Sequence, residues 1–357
     1  MSKLDTAPYK GVRDFYPEDQ FIQNYIKAVW KTTVESFGYE EYDASPLEHS
    51  EIYKEKSGEE IINEQTFTFT DRGGRDVTLR PEMTPTVARM VAGKRRELGF
   101  PLRLYSIPNL FRYEATQRGR LREHWQLNVD LFGLEGIEAD LEIVKIGYQA
   151  LRNFGASDAD FEIRLNSQNN NKEELDKFIE KLKETGIDNT VIDTTLARGQ
   201  AYYTGTVFEF FDTNKENGRS ILGGGRYDNL TELFGEKDLP VVGFGWGDVT
   251  SRDFLETHKL LPAYRPATEL YIALVSNQYA KEAENLANSL RQEGVNVSID
   301  YSERKVGDQI KTALKHKVPY LLVLGEDEVK SQVYKIKDLE KETEKEVKQE
   351  EIKECVK

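Results

Sequence analysis

Two strand-like runs, near 103 to 113 and 124 to 133, enclose a connection that puts four arginines into the twelve residues from Phe111 to Arg122. In the second run Trp125, Leu127, Val129 and Leu131 share one face while Gln126, Asn128 and Asp130 share the other, the period-two pattern of a strand with one buried side. Paired as a hairpin, the first run ends with Arg112 and Glu114 beside that polar face. Taken alone, the polar face of such a strand turns to water. Upstream, TFTFTD, DVTLRP and LRLYSIP alternate in the same way and break at the turn RGGR, so this region predicts antiparallel sheet. The arginines stand out because the chain as a whole carries a formal net charge of -14. A tight loop with that much positive charge calls for an anion, and the planar guanidinium fork suits phosphate.

Around the sheet the text reads as helix from Phe21 to Phe37, from Thr84 to Arg96 with Pro85 in its first turn, and over 138 to 153 and 172 to 185. AYYTGTVFEFF and SILGGG read as further strands. The run LLPAYRPA, with two prolines, predicts a linker at 263–267 between a first domain, 1–262, and a second, 268–357. In the second domain ELYIALV, VNVSID, PYLLVLG and QVYKIKDL alternate with helix-like stretches as in a small α/β domain with a largely parallel sheet. The terminal KDLEKETEKEVKQEEIKECVK is expected to be a solvated strand pair with a frayed end.

Composition excludes several classes. A single cysteine, Cys355, rules out a disulfide framework, and four scattered histidines do not suggest a metal cluster. No apolar run is long enough to span a membrane, and the N-terminus lacks a signal core, so a cytoplasmic protein without membrane association is expected. GxxxxGK[ST] is absent, which excludes a P-loop.

Three further constellations carry chemistry. In TLRPEMTPTVARM, Glu82 is either a carboxylate satisfying backbone donors at a helix N-terminus or one that faces a ligand's ammonium group. LARGQAYYTGTVFEFF sets Arg198 before Tyr202 and Tyr203, and neighbouring tyrosines in a strand commonly divide between core and surface. GGGRYDNL brings backbone without side chains ahead of Arg226 and Tyr227, although a tight turn explains three glycines equally well.

The ordered set GVRDFYP, TLRPEMTP, FRYEATQRGRLREHWQLNVDLFG, LARGQAYYTGTVFEF and GGGRYDNL, followed by an α/β domain, resembles the histidyl-tRNA synthetase family of class II aminoacyl-tRNA synthetases over nearly the whole chain. The resemblance implies an α+β catalytic domain, an antiparallel six-stranded sheet flanked by helices, with a reduced insertion at about 157–195, and an anticodon-binding domain at 268–357. It implies an ATP-dependent ligase of protein biosynthesis that joins L-histidine to tRNA(His) through a histidyl-adenylate, with Mg2+, as a homodimer. Residue by residue, it implies Arg112 and Arg198 as catalytic cations. Glu82, Met83, Thr84, Gln126, Asp130, Tyr202, Tyr203 and Tyr227, with the same two arginines, would form the histidine pocket. Glu114 and Arg122 would join Arg112 and Arg198 at ATP, and Arg118 and Arg120 would meet the tRNA acceptor end. No magnesium ligand is named. In the second domain Arg304, Lys305, Lys311, Lys315 and Lys317 would face the anticodon stem, although a solvated helix face explains the lysines as well.

The chain departs from the family pattern in places. Thr250, in GDVT, replaces the arginine that holds the γ-phosphate; Arg252 is a candidate substitute, but two residues along a helix point about 200° apart. Ala201 replaces an acidic residue, Asp130 replaces a glutamate, and His124 with Trp125 replaces the aromatic pair before Gln126. These losses leave open a catalytically silent paralogue acting as a regulatory binding subunit, although such paralogues typically lack the anticodon domain. A relative charging another amino acid conflicts with the segment 198 to 205.

Overall fold

The computed structural model describes residues 4–54, 65–117, 119–168, 172–196, 203–236 and 239–356. By internal contacts the chain divides into two compact units, Met1–Pro262 and Ala263–Lys357.

The first unit is organised by β5 (Leu102–Ser106), β7 (Glu123–Phe132), β12 (Val241–Gly247), β11 (Ser220–Arg226), β10 (Thr206–Asp212) and β8 (Phe161–Ser167), adjacent in that order and antiparallel throughout. Parallel edge strands extend it: β1 (Glu40–Glu41) beside β5 and β9 (Thr190–Ile192) beside β8. The short β6 (Asn109–Phe111) pairs with the start of β7. This is the six-stranded antiparallel core that the resemblance implies, lengthened at both edges. Residues 157–195 supply β8, the helix Lys172–Glu184 and β9, and Leu175, Phe178 and Leu182 of that helix join the main core.

One face of this sheet is apolar because each strand alternates. Leu127, Val129 and Leu131 of β7 meet Phe244 and Trp246 of β12 and Phe208 and Phe210 of β10 in one cluster. Helix α1 (Pro17–Ser36) covers it with Ile26, Trp30 and Val34, spaced along one helical face. Pro17 in the first turn, with Glu18 and Asp19, starts this helix four residues before the expected Phe21, since proline presets φ and carboxylates favour a helix N-terminus. The helix Ile137–Asn153 lies over the same face, where Gly147 leaves room for the Phe210 ring.

The other face of β7 does not turn to water. Asn128 and Asp130 are only 4% and 2% exposed. They are roofed by a second cluster that includes Val87, Ala88 and Val91 of the helix Thr84–Lys94, with Tyr227 and Val241. The expectation of a solvated face therefore fails: a second layer covers it.

TFTFTD and DVTLRP form β3 (Phe67–Thr70) and β4 (Asp76–Leu79), which pair antiparallel, whereas LRLYSIP leaves them to become β5 of the main sheet. With β2 (Leu47–His49) they make a small sheet whose polar side is buried at Glu48 and Thr78 and exposed along β3. There Ser50, Thr78 and Thr68 link hydroxyl to hydroxyl at 2.8 Å each, and Glu48 pairs with Arg89 at 2.9 Å. Its apolar side leaves Leu47 46% and Phe69 49% exposed.

The second unit has its own core and a sheet ordered β14 (Val297–Asp300), β13 (Leu270–Leu274), β15 (Tyr320–Leu324), β16 (Val333–Asp338), β17 (Thr343–Lys348). Only β14, β13 and β15 run parallel; β16 and β17 join antiparallel, so the sheet is mixed rather than largely parallel. The expected frayed end is instead a short helix, Ile352–Val356, whose Ile352 and Val356 are buried against that core.

Candidate active site

Cross-strand partners in a sheet share a face, and this rule assembles the site. On β12, Gly247 lies opposite Gln126, Gly245 opposite Asn128 and Gly243 opposite Asp130. On β11, Gly223 and Gly225 pair with Gly245 and Gly243. The polar residues of β7 thus border a floor of five glycines that has no side chains of its own. Space, rather than flexibility, requires them. A Cβ at Gly245 would sit 2.8 Å from Gln126 Nε2, and one at Gly243 would collide with the Tyr227 hydroxyl and the Val129 carbonyl.

Above one end of the floor lies a cavity of about 280 Å³ lined by Arg112, Glu114, Arg120, His124, Gln126 and Thr250, together with backbone of the glycine strands. Arg112 is placed by its Nε, which donates to the Pro81 carbonyl at 2.9 Å, and its amide donates to Arg122 O at 2.9 Å. No carboxylate pairs with it among the described residues, so its charge is available to a ligand. Exposed Arg120 stands 3.9 Å from the Glu114 carboxylate. Arg122 is placed differently. It stacks 3.9 Å from the Tyr113 ring centroid, donates to the Tyr9 hydroxyl at 2.8 Å and is buried, so it braces the loop instead of lining the cavity.

The bond from Arg112 to Pro81 also ties the cavity to Glu82, Met83 and Thr84. Glu82 and Met83 are buried, and Met83 caps the helix Thr84–Lys94 without any side-chain hydrogen bond. Deeper along β7, the Tyr227 hydroxyl donates to Asp130 Oδ1 while Oδ2 is buried without a partner. Burial raises the Asp130 carboxyl to about 7, an effect the Tyr227 hydroxyl partly opposes. Tyr203 meets Tyr227 edge to face at 6.3 Å and packs over Gly225. The structure therefore gathers Arg112, Glu114, Arg120 and Gln126 at the cavity, and Asp130, Tyr203 and Tyr227 at the deeper end. Arg118, Arg198 and Tyr202 lie outside the described residues, as does Ala201.

Thr250 donates to Ile221 O at 2.8 Å and Gly247 O at 3.0 Å, stitching the first turn of the helix Asp248–Thr257 to β11. Arg252 is not at the cavity: it bonds Asp19 at 2.9 Å and Glu256 at 2.8 Å. Three features were not anticipated as functional. His124 lines the cavity as its only ring among the described residues, and burial, with the Arg112 and Arg13 charges, holds it down to about 3 and so neutral. Asp248 is buried against Arg13. The bare floor continues through Gly243, Gly245 and Gly247, and the alternation in GFGWG was its available signal, since period-two glycines strip one face of a strand.

The arrangement offers a phosphate-sized cation site beside a buried polar recess, joined by a floor wide enough for a flat ligand. The family model for histidyl-tRNA synthetase matches residues 11–169 and 163–247, and that for the anticodon binding domain matches 269–357. A histidine–tRNA ligase of Leptospira biflexa is 38% identical over 94% of this chain and 94% of its own length. One from Thermoplasma volcanium is 34% identical over 92% of this chain and 93% of its own. The crystal structure of apo S. aureus histidyl-tRNA synthetase superposes with a TM-score of 0.85 at 25% identity, covering 99% of this chain and all of that one. On the match of both family models and the full-length relatives, the chain belongs to the histidyl-tRNA synthetase family.

Proposed function

We propose that the chain activates L-histidine with ATP as histidyl-adenylate and transfers the histidyl group to tRNA(His). The observation that carries this reading is Arg112, free of any carboxylate among the described residues, at one end of a glycine floor whose other end holds the buried Asp130–Tyr227 pair. The histidine carboxylate attacks the α-phosphorus, and negative charge builds on the non-bridging oxygens. Arg112, already positioned by Pro81 O, stabilises that charge without reorganisation. Arg198 acts as the second cation, Glu82 pairs with the substrate ammonium, and Met83 and Thr84 frame it. Gln126, Tyr202, Tyr203 and Tyr227 wall the histidine pocket, with Asp130 at its base.

The ATP lies over the glycines with Glu114 toward its base. Neutral His124 at the wall supplies a ring without adding charge. No cluster of three carboxylate, histidine or cysteine side chains suited to a metal exists among the described residues. Mg2+ would therefore arrive on the nucleotide, since that ion commonly keeps phosphate and water ligands. Its chemistry there is to neutralise the departing pyrophosphate.

The tRNA acceptor end meets Arg118 and exposed Arg120, and the second unit, from about residue 268, binds the anticodon stem through Arg304, Lys305, Lys311, Lys315 and Lys317. The regulatory-subunit alternative is not favoured, because the matched relatives are ligases along more than nine-tenths of their length. A homodimer fits the exposed apolar side of the small sheet at Leu47 and Phe69, and a cytoplasmic setting fits the single cysteine. No helix among the described residues is long and apolar enough to cross a membrane.

ATP/pyrophosphate exchange with each amino acid in turn tests the activity. Stimulation by histidine alone supports it, and none by any amino acid refutes it. Sedimentation at micromolar concentration tests the dimer; a persistent 41.1 kDa species rejects it.

A further inference from the structure

The turn between β10 and β11 is internally braced. Asp212, buried at the end of β10, accepts from the Asn214 amide and from Asn217 Nδ2 at 2.8 Å each, and meets His258 Nε2 at 2.8 Å. The Asn217 and Gly218 amides donate to Asn214 O at 3.0 Å and 2.9 Å, and the Asp212 amide reaches across the turn to Arg219 O at 3.3 Å. This turn delivers Arg219 to the start of β11. There the register with β10 slips by one residue between Phe210 and Phe211, and the consecutive residues Ser220, Ile221, Leu222 and Gly223 all line the cavity.

The arginine-rich connection after Phe111 closes on itself beside this strand. The Gln117 and Arg120 amides donate to each other's carbonyls at 3.1 Å and 2.9 Å, and Gly119 between them has φ +75°, the left-handed region that glycine adopts without strain. Exposed Arg219 occupies the space a side chain there would need: a Cβ on Gly119 would sit 2.7 Å from Arg219 Nη1 and 3.7 Å from its Cδ and Cζ. Gly119 and Ser220 both line the cavity, so the guanidinium that meets the one and adjoins the other stands at its rim.

Charge shows what this placement can do. Among the described residues the cavity is lined by two cations, Arg112 and Arg120. Arg112 serves the α-phosphate, and Arg120 is 3.9 Å from the Glu114 carboxylate. Thr250 uses its hydroxyl on Ile221 O and Gly247 O, and Arg252 is held by Asp19 and Glu256. None of these supplies a cation to the two phosphates that depart as pyrophosphate. We propose that Arg219, reaching past Gly119 from the start of β11, binds those terminal phosphates of ATP. This rests on the ATP-dependent activity above. A guanidinium offers phosphate oxygens paired donors and stays charged at any relevant pH. Because the turn behind it is braced, Arg219 meets the leaving group's growing charge from a fixed position.

Calorimetric titration of the full chain with ATP and with AMP, each with Mg2+, compares the wild type with Arg219→Ala and Arg219→Lys. Arg219→Ala should weaken ATP binding by roughly tenfold to 100-fold, the scale of lost hydrogen bonds to a charged group, and leave AMP binding within about twofold. Arg219→Lys keeps the charge without the fork and should fall between the two. In histidine-dependent exchange the KM for pyrophosphate should rise along with that for ATP, while the KM for histidine stays within about twofold. Equal ATP affinity in Arg219→Ala and wild type overturns the proposal. So does an equal loss of ATP and AMP binding, which would make Arg219 a brace of the loop or a partner of the base. If the wild type neither binds ATP nor shows exchange, the activity fails; if it does both and Arg219→Ala matches it, only the role of Arg219 fails.

Discussion

Asp248 accepts a hydrogen bond from Arg13 Nη2 at 2.7 Å and another from the Trp125 amide at 2.9 Å. One buried carboxylate thus ties the segment before α1 to the strand that carries His124 and Gln126. It also opens the helix Asp248–Thr257, where the N-terminal dipole favours negative charge. Asp248→Ala would leave the Arg13 charge and the Trp125 amide uncompensated. A loss of about 3 kcal/mol is expected, the scale of a broken buried ion pair, read as a lower denaturation midpoint. Asp248→Asn keeps an acceptor for the amide and should recover part of it; equal midpoints for Asp248→Ala and wild type would show the latch carries no stability.

Arg112 has its Nε fixed and its charge unpaired among the described residues, which is the condition for pre-placed electrostatic stabilisation. Arg112→Ala should slow adenylate formation by about 100-fold to 1,000-fold. Arg198→Ala is expected to do the same. Single-turnover measurement of the adenylate checks both, and a neutral result for both would remove the proposed mechanism.

Arg252 is the nearest arginine in sequence to the vacated position at Thr250, but its guanidinium is engaged by Asp19 and Glu256. These are partly exposed pairs, worth little individually. Arg252→Ala should leave the KM for ATP within about twofold and cost at most about 1 kcal/mol. A KM for ATP raised tenfold, with histidine binding unchanged, would restore Arg252 as the γ-phosphate ligand.

How much of this was legible depended on whether a residue's partners lie nearby in sequence. The alternation in β7 and the arginines after Phe111 announce a polar strand face beside a cation cluster, because both patterns are local. That Asn128 and Asp130 are buried was not legible, since their cover comes from the helix Thr84–Lys94 and from Tyr227, distant in sequence. LRLYSIP alternates like its neighbours β3 and β4, and period alone does not say which sheet a strand joins. Arg122 reads like its neighbouring arginines, yet Tyr9, more than a hundred residues away, takes its charge out of the cavity. The same distance hides the latch between Arg13 and Asp248.

The glycine floor predicts an asymmetry between two small substitutions. At Gly245 an added methyl meets the end of the Gln126 side chain at 2.8 Å, which can move. At Gly243 it meets the Val129 carbonyl and the Tyr227 hydroxyl, one of which is backbone. Gly245→Ala should therefore raise the KM for substrate while the fold survives, whereas Gly243→Ala should lower the melting temperature as well. Indistinguishable melting temperatures would refute the close packing at Gly243.

Asp130 and His124 make opposite contributions to the pH dependence of stability. Asp130 is raised to about 7 in the fold, against about 3.9 in the unfolded chain. Between those values the unfolded chain has released a proton that the fold retains, so the unfolded state binds fewer protons and stability falls as pH rises. His124 is lowered to about 3, against about 6.5 unfolded. Between those values the unfolded chain takes up a proton that the fold refuses, so stability falls as pH drops. From about pH 4 to about pH 6.5 the two slopes oppose each other. Removing one exposes the other: Asp130→Asn should lose stability on acidification relative to wild type, and His124→Phe should gain it. Titrations common to all three proteins cancel in the differences, each of which should change by up to about 1.4 kcal/mol per pH unit. Urea midpoints between pH 4.5 and pH 8 measure them, and flat difference curves would mean that neither group is held away from its ordinary ionisation by the fold.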